Sequence, residues 1–238
     1  MGWWASAANG YGSYNFSNHN IDGDSYGGKA SNATPVNRQP VIFIHGNSDK
    51  AVGYLGTTMS GWTGSRNHFH SKGYTEAELY AVTWGDANPL QSANQSHSRE
   101  NLTRLRAFVE AVIAYTGASK VDIVTHSMGV TLLRKVIEGG STYAPAHGTY
   151  NLGPSLTNKV DAFIGIAGAN RGLTNCYPYP AYLATTCDDE TGLYPGYLWW
   201  GSVIGQSTIL QDINSSSGYE GSYRYSIYSS NAPIVGYG

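Results

Sequence analysis

The chain has 238 residues, of which 41% are hydrophobic and 13% are charged, and its formal net charge is −2. Disordered chains combine low hydrophobicity with high net charge, so this composition excludes that class and suits a single domain over residues 1–238. A pI near 6.4 excludes a strongly basic surface, so we expect neither nucleic acid nor a membrane held by charge as a partner.

Residues 1–38 are rich in Gly, Ser, Asn and Tyr. They show no sustained periodicity, which predicts an irregular arm on the surface. The start of the chain has neither a basic stretch nor an apolar stretch, so no signal peptide is expected there. The longest apolar runs are only as long as a strand, and none is predicted to span a membrane.

Beyond the arm, apolar runs bounded by turn residues alternate with stretches in which apolar residues recur every three to four positions. The predicted elements are strand 41–44, helix 62–72, strand 79–84, helix 98–116, strand 121–124, helix 128–138, strand 160–167 and strand 223–228. Gly117 is the expected end of the clearest helix. This alternation predicts an α/β fold with a mostly parallel sheet covered by helices on both faces.

Residues 169–221 are aromatic, rich in Pro, Gly and Ser, and without a clean period. A stretch of this length inside a compact domain usually forms a lid or a binding insertion. Its Trp199 and Trp200 are candidates for a platform that holds apolar or polymeric ligands, the alternative being a small satellite core under a long loop. Cys176 and Cys187, the only cysteines, could pair as a disulfide or remain free thiols.

The strongest site signal is the segment VDIVTHSMGV (121–130). An apolar strand leads into a sharp turn and then a helix, with Ser127 at the apex. A serine there is held above the sheet at a helix N-terminus, where the helix dipole favours a developing negative charge. The backbone N–H of Met128 is the expected donor to that charge. The alternative is a serine that only caps the helix.

The same turn departs from the usual Gly-x-Ser-x-Gly pattern. Thr125 holds the first glycine position, and a β-branched residue is expected to crowd the turn, whereas Gly129 lets the helix approach closely. The first buried strand ends in His45-Gly46-Asn47, at the edge where open α/β sheets bind ligands. The N–H of Asn47 is the expected second oxyanion donor, and a simple strand-ending turn is the alternative.

Four stretches resemble ester hydrolases of the α/β-hydrolase fold, namely VIFIHGN (41–47), AYTGASKVDIVTHSMGV (114–130), FIGIAGANRGL (163–173) and YSIYSS (225–230). The likeness is to extracellular polyhydroxybutyrate depolymerases and, more distantly, to small bacterial lipases. It implies a secreted serine carboxylic-ester hydrolase that forms an acyl-enzyme on Ser127 and cleaves an acylglycerol or a polyester. It also implies a Cys176–Cys187 disulfide and a lid within 169–221.

The base and the acid that such a serine needs are not found in the sequence. In this fold the acid and then the histidine follow the serine, yet only His147 follows Ser127, and it comes too early in the chain. The small lipases carry the acid where this chain has Ala232, and no Asp or Glu follows Glu220. We therefore expect the chain as it stands to be nearly inactive.

Three explanations of this absence are open. The first is that a longer enzyme was truncated at its C-terminus and its acid deliberately removed. The second is that disordered or cleaved parts of the enzyme are missing from this sequence. The third is that the protein is a pseudoenzyme that binds without cutting. We favour the first, with the non-catalytic binding protein as the main alternative and an amidase or peptidase as a weaker one. His45, His126 and His147 are expected to be structural. No nucleotide-binding or metal-ligand pattern occurs, so neither a cofactor nor a metal is expected.

Overall fold

The computed structural model describes residues 16, 24–31, 33–177, 183–231 and 234–235. The strands are β1 (Ser25–Tyr26), β2 (Val41–Ile44), β3 (Leu79–Val82), β4 (Val121–His126), β5 (Ser141–Ala144), β6 (Gly148–Asn151), β7 (Val160–Ile166), β8 (Tyr197–Trp199), β9 (Ser202–Ile204) and β10 (Tyr223–Ile227). The α-helices are α1 (Thr63–Ser71), α2 (Arg99–Thr116), α3 (Met128–Glu138) and α4 (Thr208–Ser215).

The described residues form one large sheet with the strand order β1-β3-β2-β4-β7-β10. The strand β1 is antiparallel to β3, and every other neighbouring pair in this sheet is parallel. The predicted mostly parallel sheet is therefore confirmed. Because β4 lies between β2 and β7, the carboxyl ends of these three strands meet at one edge, where ligands bind in open α/β sheets.

Helices cover both faces of the sheet, as predicted. On one face, α2, α3 and α4 pack their apolar side chains against Ile42, Ile123 and Phe163. On the other face, α1 packs against Phe43, which contacts the rings of Trp62 and Phe69 with centroids 5.4 Å away in each case. Burial of apolar side chains in these two layers supplies the main driving force for folding.

The two longest helices begin and end at the residues that the sequence indicated. The Ser98 hydroxyl accepts a hydrogen bond from the Asn101 amide and so caps α2. Gly117 ends that helix with φ +71°, in the left-handed region that glycine adopts without strain. The helix α3 covers 128–138, the predicted range.

Short elements depart from the predictions. The arm is not wholly irregular, because β1 pairs with β3; most of its residues before 24 lie outside the described part of the chain. The hairpin β5–β6 was not predicted, and the stretch 169–221 contains α4 and the hairpin β8–β9. These strands have two to four residues each, too few for an alternating pattern to be recognised.

Cys176 and Cys187 form a disulfide, as the resemblance implied. Both residues are buried, and the bridge ties two short turns of the insertion to each other. The free-thiol alternative is wrong. Within the described ranges, every helix is too short or too polar to cross a bilayer.

Replacing Cys176 and Cys187 with serine should lower the free energy of unfolding by about 2–3 kcal/mol, because the bridge restricts an unfolded loop of 11 residues. Urea unfolding with and without a thiol reductant measures this. The reductant should shift the midpoint of the wild type but not that of the double-serine variant. Equal midpoints for the wild type in both conditions would contradict the prediction.

Candidate active site

Ser127 lies at a strained turn between β4 and α3. Its backbone has φ +53° and ψ −126°, a region that costs a residue with a side chain on the order of 1–3 kcal/mol. Neighbouring backbone groups hold it there: the Ser127 N–H donates to the Ile166 carbonyl at 2.8 Å, and its carbonyl accepts from the Val130 N–H at 3.0 Å. The serine is thus fixed in a sharp strand-to-helix turn at the carboxyl edge of the sheet.

Gly129 and Thr125 pack directly against each other at this turn. A Cβ on Gly129 would lie 2.4 Å from the His45 carbonyl oxygen and 2.9 Å from the Thr125 hydroxyl. Glycine is therefore required for α3 to approach the strand ends. Thr125 stays paired with Ile44 and Gly165 in the sheet, and the missing Cβ of Gly129 makes room for its hydroxyl.

The loop after β2 contacts the serine turn closely. A Cβ on Gly46 would lie 2.8 Å from Nδ1 of His126 and 3.0 Å from Cβ of Ser127. The next amide is that of Asn47, whose side chain is held by the Ser92 carbonyl at 2.8 Å. Among the described residues, the N–H groups of Asn47 and Met128 have no protein acceptor. Both predicted oxyanion donors therefore belong to segments that meet at Ser127.

His45 is a structural residue, as expected. Its Nε2 accepts from the Trp84 amide at 3.1 Å, and its Nδ1 donates to the Gly46 carbonyl at 2.6 Å. Its ring stacks on Trp84 with centroids 5.3 Å apart. Burial lowers the pKa of His45 to about 4. The neutral ring therefore fixes the loop that carries Asn47 beside the serine.

A second buried histidine, His97, joins the serine-bearing helix to the insertion. Its Nδ1 lies 2.9 Å from the Thr191 carbonyl and its Nε2 lies 2.9 Å from the Thr131 hydroxyl. Thr131 is in the first turn of α3. Burial lowers the pKa of His97 to about 4. No pattern in the sequence gives His97 a role, because only the tertiary fold brings 97, 131 and 191 together.

The insertion begins beside the serine. The Ala169 N–H donates to the Ser127 carbonyl at 3.5 Å, and the Leu173 N–H donates to the Leu193 carbonyl at 2.9 Å. Trp199 and Trp200 lie further along, on the hairpin β8–β9, where they are 64% and 92% exposed. The satellite-core alternative is therefore wrong for these two residues, although Leu193 in the same insertion is buried in the main core.

No histidine or carboxylate among the described residues hydrogen-bonds to the Ser127 hydroxyl. His126 is exposed beside Gly46; partial burial of its ring lowers its pKa, and the Asp49 carboxylate opposes this shift. His147 lies in the exposed turn between β5 and β6. Ala232, the expected position of the acid, lies outside the described residues. In the ranges that are described, no cluster of side chains could hold a metal ion.

Comparison with known proteins gives a family match and several distant structural likenesses. The model of the class 2 lipase family matches residues 38–238. A lipase of Bacillus licheniformis, BlEst2 in its propeptide form, is 13% identical over 87% of this chain and 39% of its own, with a TM-score of 0.48.

Two further structures are similarly distant in sequence and are likewise matched over less than half of their own length. The phospholipase PlaB of Legionella pneumophila, in complex with thio-NAD, is 19% identical over 80% of this chain and 37% of its own, with a TM-score of 0.47. Lipase B of Aspergillus fumigatus is 18% identical over 63% of this chain and 29% of its own, with a TM-score of 0.39. This chain thus spans less than half the length of each of these three proteins.

Proposed function

The chain belongs to the class 2 lipase family, and from this premise we propose that it is a serine carboxylic-ester hydrolase with Ser127 as its nucleophile. The observation that carries the proposal is the backbone of Ser127, held at φ +53° and ψ −126° at the start of α3. A strained serine at a strand-to-helix turn has no folding advantage over an unstrained one, and strain of this kind concentrates at functional sites.

The proposed reaction has two stages. The Ser127 Oγ bonds to the ester carbonyl carbon while its proton passes to a base, and the carbonyl oxygen becomes an oxyanion. The free N–H groups of Asn47 and Met128 and the N-terminus of α3 stabilise that charge. The C–O bond to the alcohol then breaks, the alcohol leaves with a proton, and water releases the acid from the acyl-enzyme.

Among the described residues, Ser127 has no base positioned to accept its proton. With no histidine or carboxylate bonded to Ser127 in the described ranges, proton transfer from the hydroxyl has no positioned acceptor. Loss of a triad member lowers turnover by several orders of magnitude, and oxyanion stabilisation alone leaves only residual catalysis. We therefore expect slow acylation of Ser127 and little turnover.

A lipid ester is the proposed substrate, in keeping with the family. An acylglycerol and a polyester share the carboxylic-ester linkage, and polyhydroxybutyrate remains a prediction from the sequence resemblance. We also propose a secreted protein, because the buried Cys176–Cys187 disulfide is the kind of bond that persists in oxidising compartments. No cofactor is part of the proposed reaction.

A fluorophosphonate, which mimics the ester and forms a stable bond to a serine hydroxyl, tests the proposal under prolonged exposure, because acylation without a positioned base is slow. Mass spectrometry should place the adduct on Ser127. The Ser127→Ala variant should take up no label, and the exposed Ser217→Ala should be labelled as the wild type is. Gly46→Ala should slow labelling by about 10²-fold, because its Cβ pushes the Asn47 amide away from Ser127. An adduct at another residue would refute the assignment.

A non-catalytic binding protein on the same fold is the second candidate. It is favoured by the absence of an acceptor for the Ser127 proton among the described residues. The two functions differ in the same experiment: a binding protein takes up no phosphonate at Ser127 even after prolonged exposure, yet still retains an ester-containing ligand in equilibrium dialysis.

A further inference from the structure

The hairpin β8–β9 presents apolar side chains to solvent. Exposed fractions of 50–74% are found for five of its residues, Tyr197, Leu198, Trp199, Val203 and Ile204. Trp200, in the two-residue turn, is 92% exposed. The surrounding segment 191–207 contains no charged residue. We call residues 197–204 the aromatic hairpin.

The turn of the aromatic hairpin holds Trp200 in a strained backbone conformation and leaves its side chain exposed. Trp200 has φ +48° and Gly201 has φ +82°, a combination that two-residue hairpin turns adopt and that Asn-Gly serves best. A tryptophan in the left-handed region costs on the order of 1 kcal/mol. Its indole is almost wholly exposed, so packing within the fold does not offset this cost.

Both faces of the aromatic hairpin are apolar. The pairs Tyr197–Ile204 and Leu198–Val203 are consecutive in the register, so their side chains point to opposite faces. A protein partner of ordinary shape would cover one face and leave the other in water. A lipid phase surrounds an inserted hairpin and removes both faces from water at once.

The aromatic hairpin is joined to the edge of the sheet that carries Ser127. The chain following β7 donates from Ala169 to the Ser127 carbonyl and from Leu173 to the Leu193 carbonyl. At the base of the hairpin, the Ser207 N–H donates to the Tyr194 carbonyl at 3.0 Å. The Tyr194 ring contacts Tyr197 with centroids 5.7 Å apart. The base of the hairpin is therefore tied by backbone hydrogen bonds to the segment that contacts Ser127.

From these features we infer that the aromatic hairpin inserts into the interfacial region of a lipid surface. The choice of lipid rests on the proposed function; the apolar insertion does not. Depth is limited because a two-stranded hairpin leaves backbone groups on its outer edges unpaired, which the hydrocarbon core does not tolerate. Trp and Tyr suit the headgroup level, where the ring is in an apolar phase and its N–H or O–H meets water.

Vesicles of zwitterionic phosphatidylcholine test the inference. The wild type should sediment with them and shift its tryptophan emission to shorter wavelength. The double variant Trp199→Ser/Trp200→Ser should lower the partition coefficient about 100-fold, or about tenfold for each ring. Added salt should leave wild-type binding unchanged, since no charged group takes part. The matched control is Tyr143→Ser, an exposed aromatic residue on the hairpin β5–β6.

Several results would overturn the inference. They are a wild type that does not bind the vesicles, a double variant that binds them as tightly as the wild type, and a wild type that adsorbs to polyester film but not to lipid. If the wild type does not bind vesicles and the double variant changes its oligomeric state, the hairpin instead contacts a second copy of this chain. The Ser127→Ala variant should bind vesicles normally, so a failure of the proposed chemistry is read separately from a failure of lipid binding.

Discussion

Lowering the pH from about 7.5 to about 4 should remove roughly 6 kcal/mol from the free energy of unfolding, about 3 kcal/mol for each of His45 and His97. Both side chains are fully buried, and burial lowers the pKa of each to about 4. In the unfolded chain a histidine takes up its proton near pH 6.5. Between these values the unfolded state binds more protons, so stability falls as the pH falls.

Different features favour the neutral ring at the two histidines. For His45, a proton on Nε2 would face the Trp84 N–H that this nitrogen now accepts. For His97, burial alone favours the neutral ring: the Thr191 carbonyl at Nδ1 opposes the shift, and no carboxylate bonds to the ring among the described residues. We expect acid to loosen both the loop carrying Asn47 and the junction of α3 with the insertion.

Urea unfolding at several pH values measures this effect. The His97→Gln variant should lose about 3 kcal/mol less than the wild type between the two pH values, because one of the two titrating groups is gone. Other groups titrate equally in both proteins, so they cancel in this comparison. The exposed His147→Gln should follow the wild type. An identical pH dependence in His97→Gln and wild type would contradict the prediction.

Replacing Arg134 with methionine should destabilise the protein by about 3–5 kcal/mol. Arg134, on α3, pairs through Nε with the Glu220 carboxylate at 3.0 Å and donates to Asn170 and Asn214 and to the Ile213 carbonyl. Glu220 is buried, and its second oxygen has no partner among the described residues. The substitution therefore leaves a buried carboxylate without its cation.

A second substitution separates lost charge pairing from lost packing. Adding Glu220→Gln to Arg134→Met should restore about 1–3 kcal/mol, because the remaining buried group is then neutral. Arg171→Met, at an exposed position in the same insertion, should change stability by no more than about 0.5 kcal/mol. A loss below about 1 kcal/mol for Arg134→Met would show that the buried network contributes little.

The sequence located the long elements and the serine turn well. Helices α2 and α3 were predictable because their apolar stripes act locally, as do Ser98 and Gly117 at the two ends of α2. Ser127 and Asn47 were placed together by one rule, that parallel strands end at the same edge of a sheet. The aromatic hairpin escaped prediction because a few exposed residues carry no periodic signal. Helix α4 escaped it because eight residues with three buried apolar positions, Ile209, Leu210 and Ile213, are too short a pattern to recognise.

The contacts around the serine could not be read from the sequence. The fit of Thr125 depends on Gly129, and the pattern gave only the expectation of crowding. The role of Gly46 follows from its distance to Ser127, which is set by the packing of two strands. His97 and Arg134 lie far along the chain from the residues that they hold, and a single sequence gives no sign of such pairs.

The fastening of α3 has a consequence for attempts to redesign this protein. Arg134 and Lys135 bind Glu220 and Asp212 respectively, and Thr131 is bonded through His97 to Thr191. The first two turns of α3, the helix that follows Ser127, are thus bonded to the stretch 169–221. That stretch cannot be exchanged by itself. A chimaera that takes the corresponding stretch from a homologue must also take the homologue's residues on α3 that bond to it, or the turn at Ser127 loses its alignment.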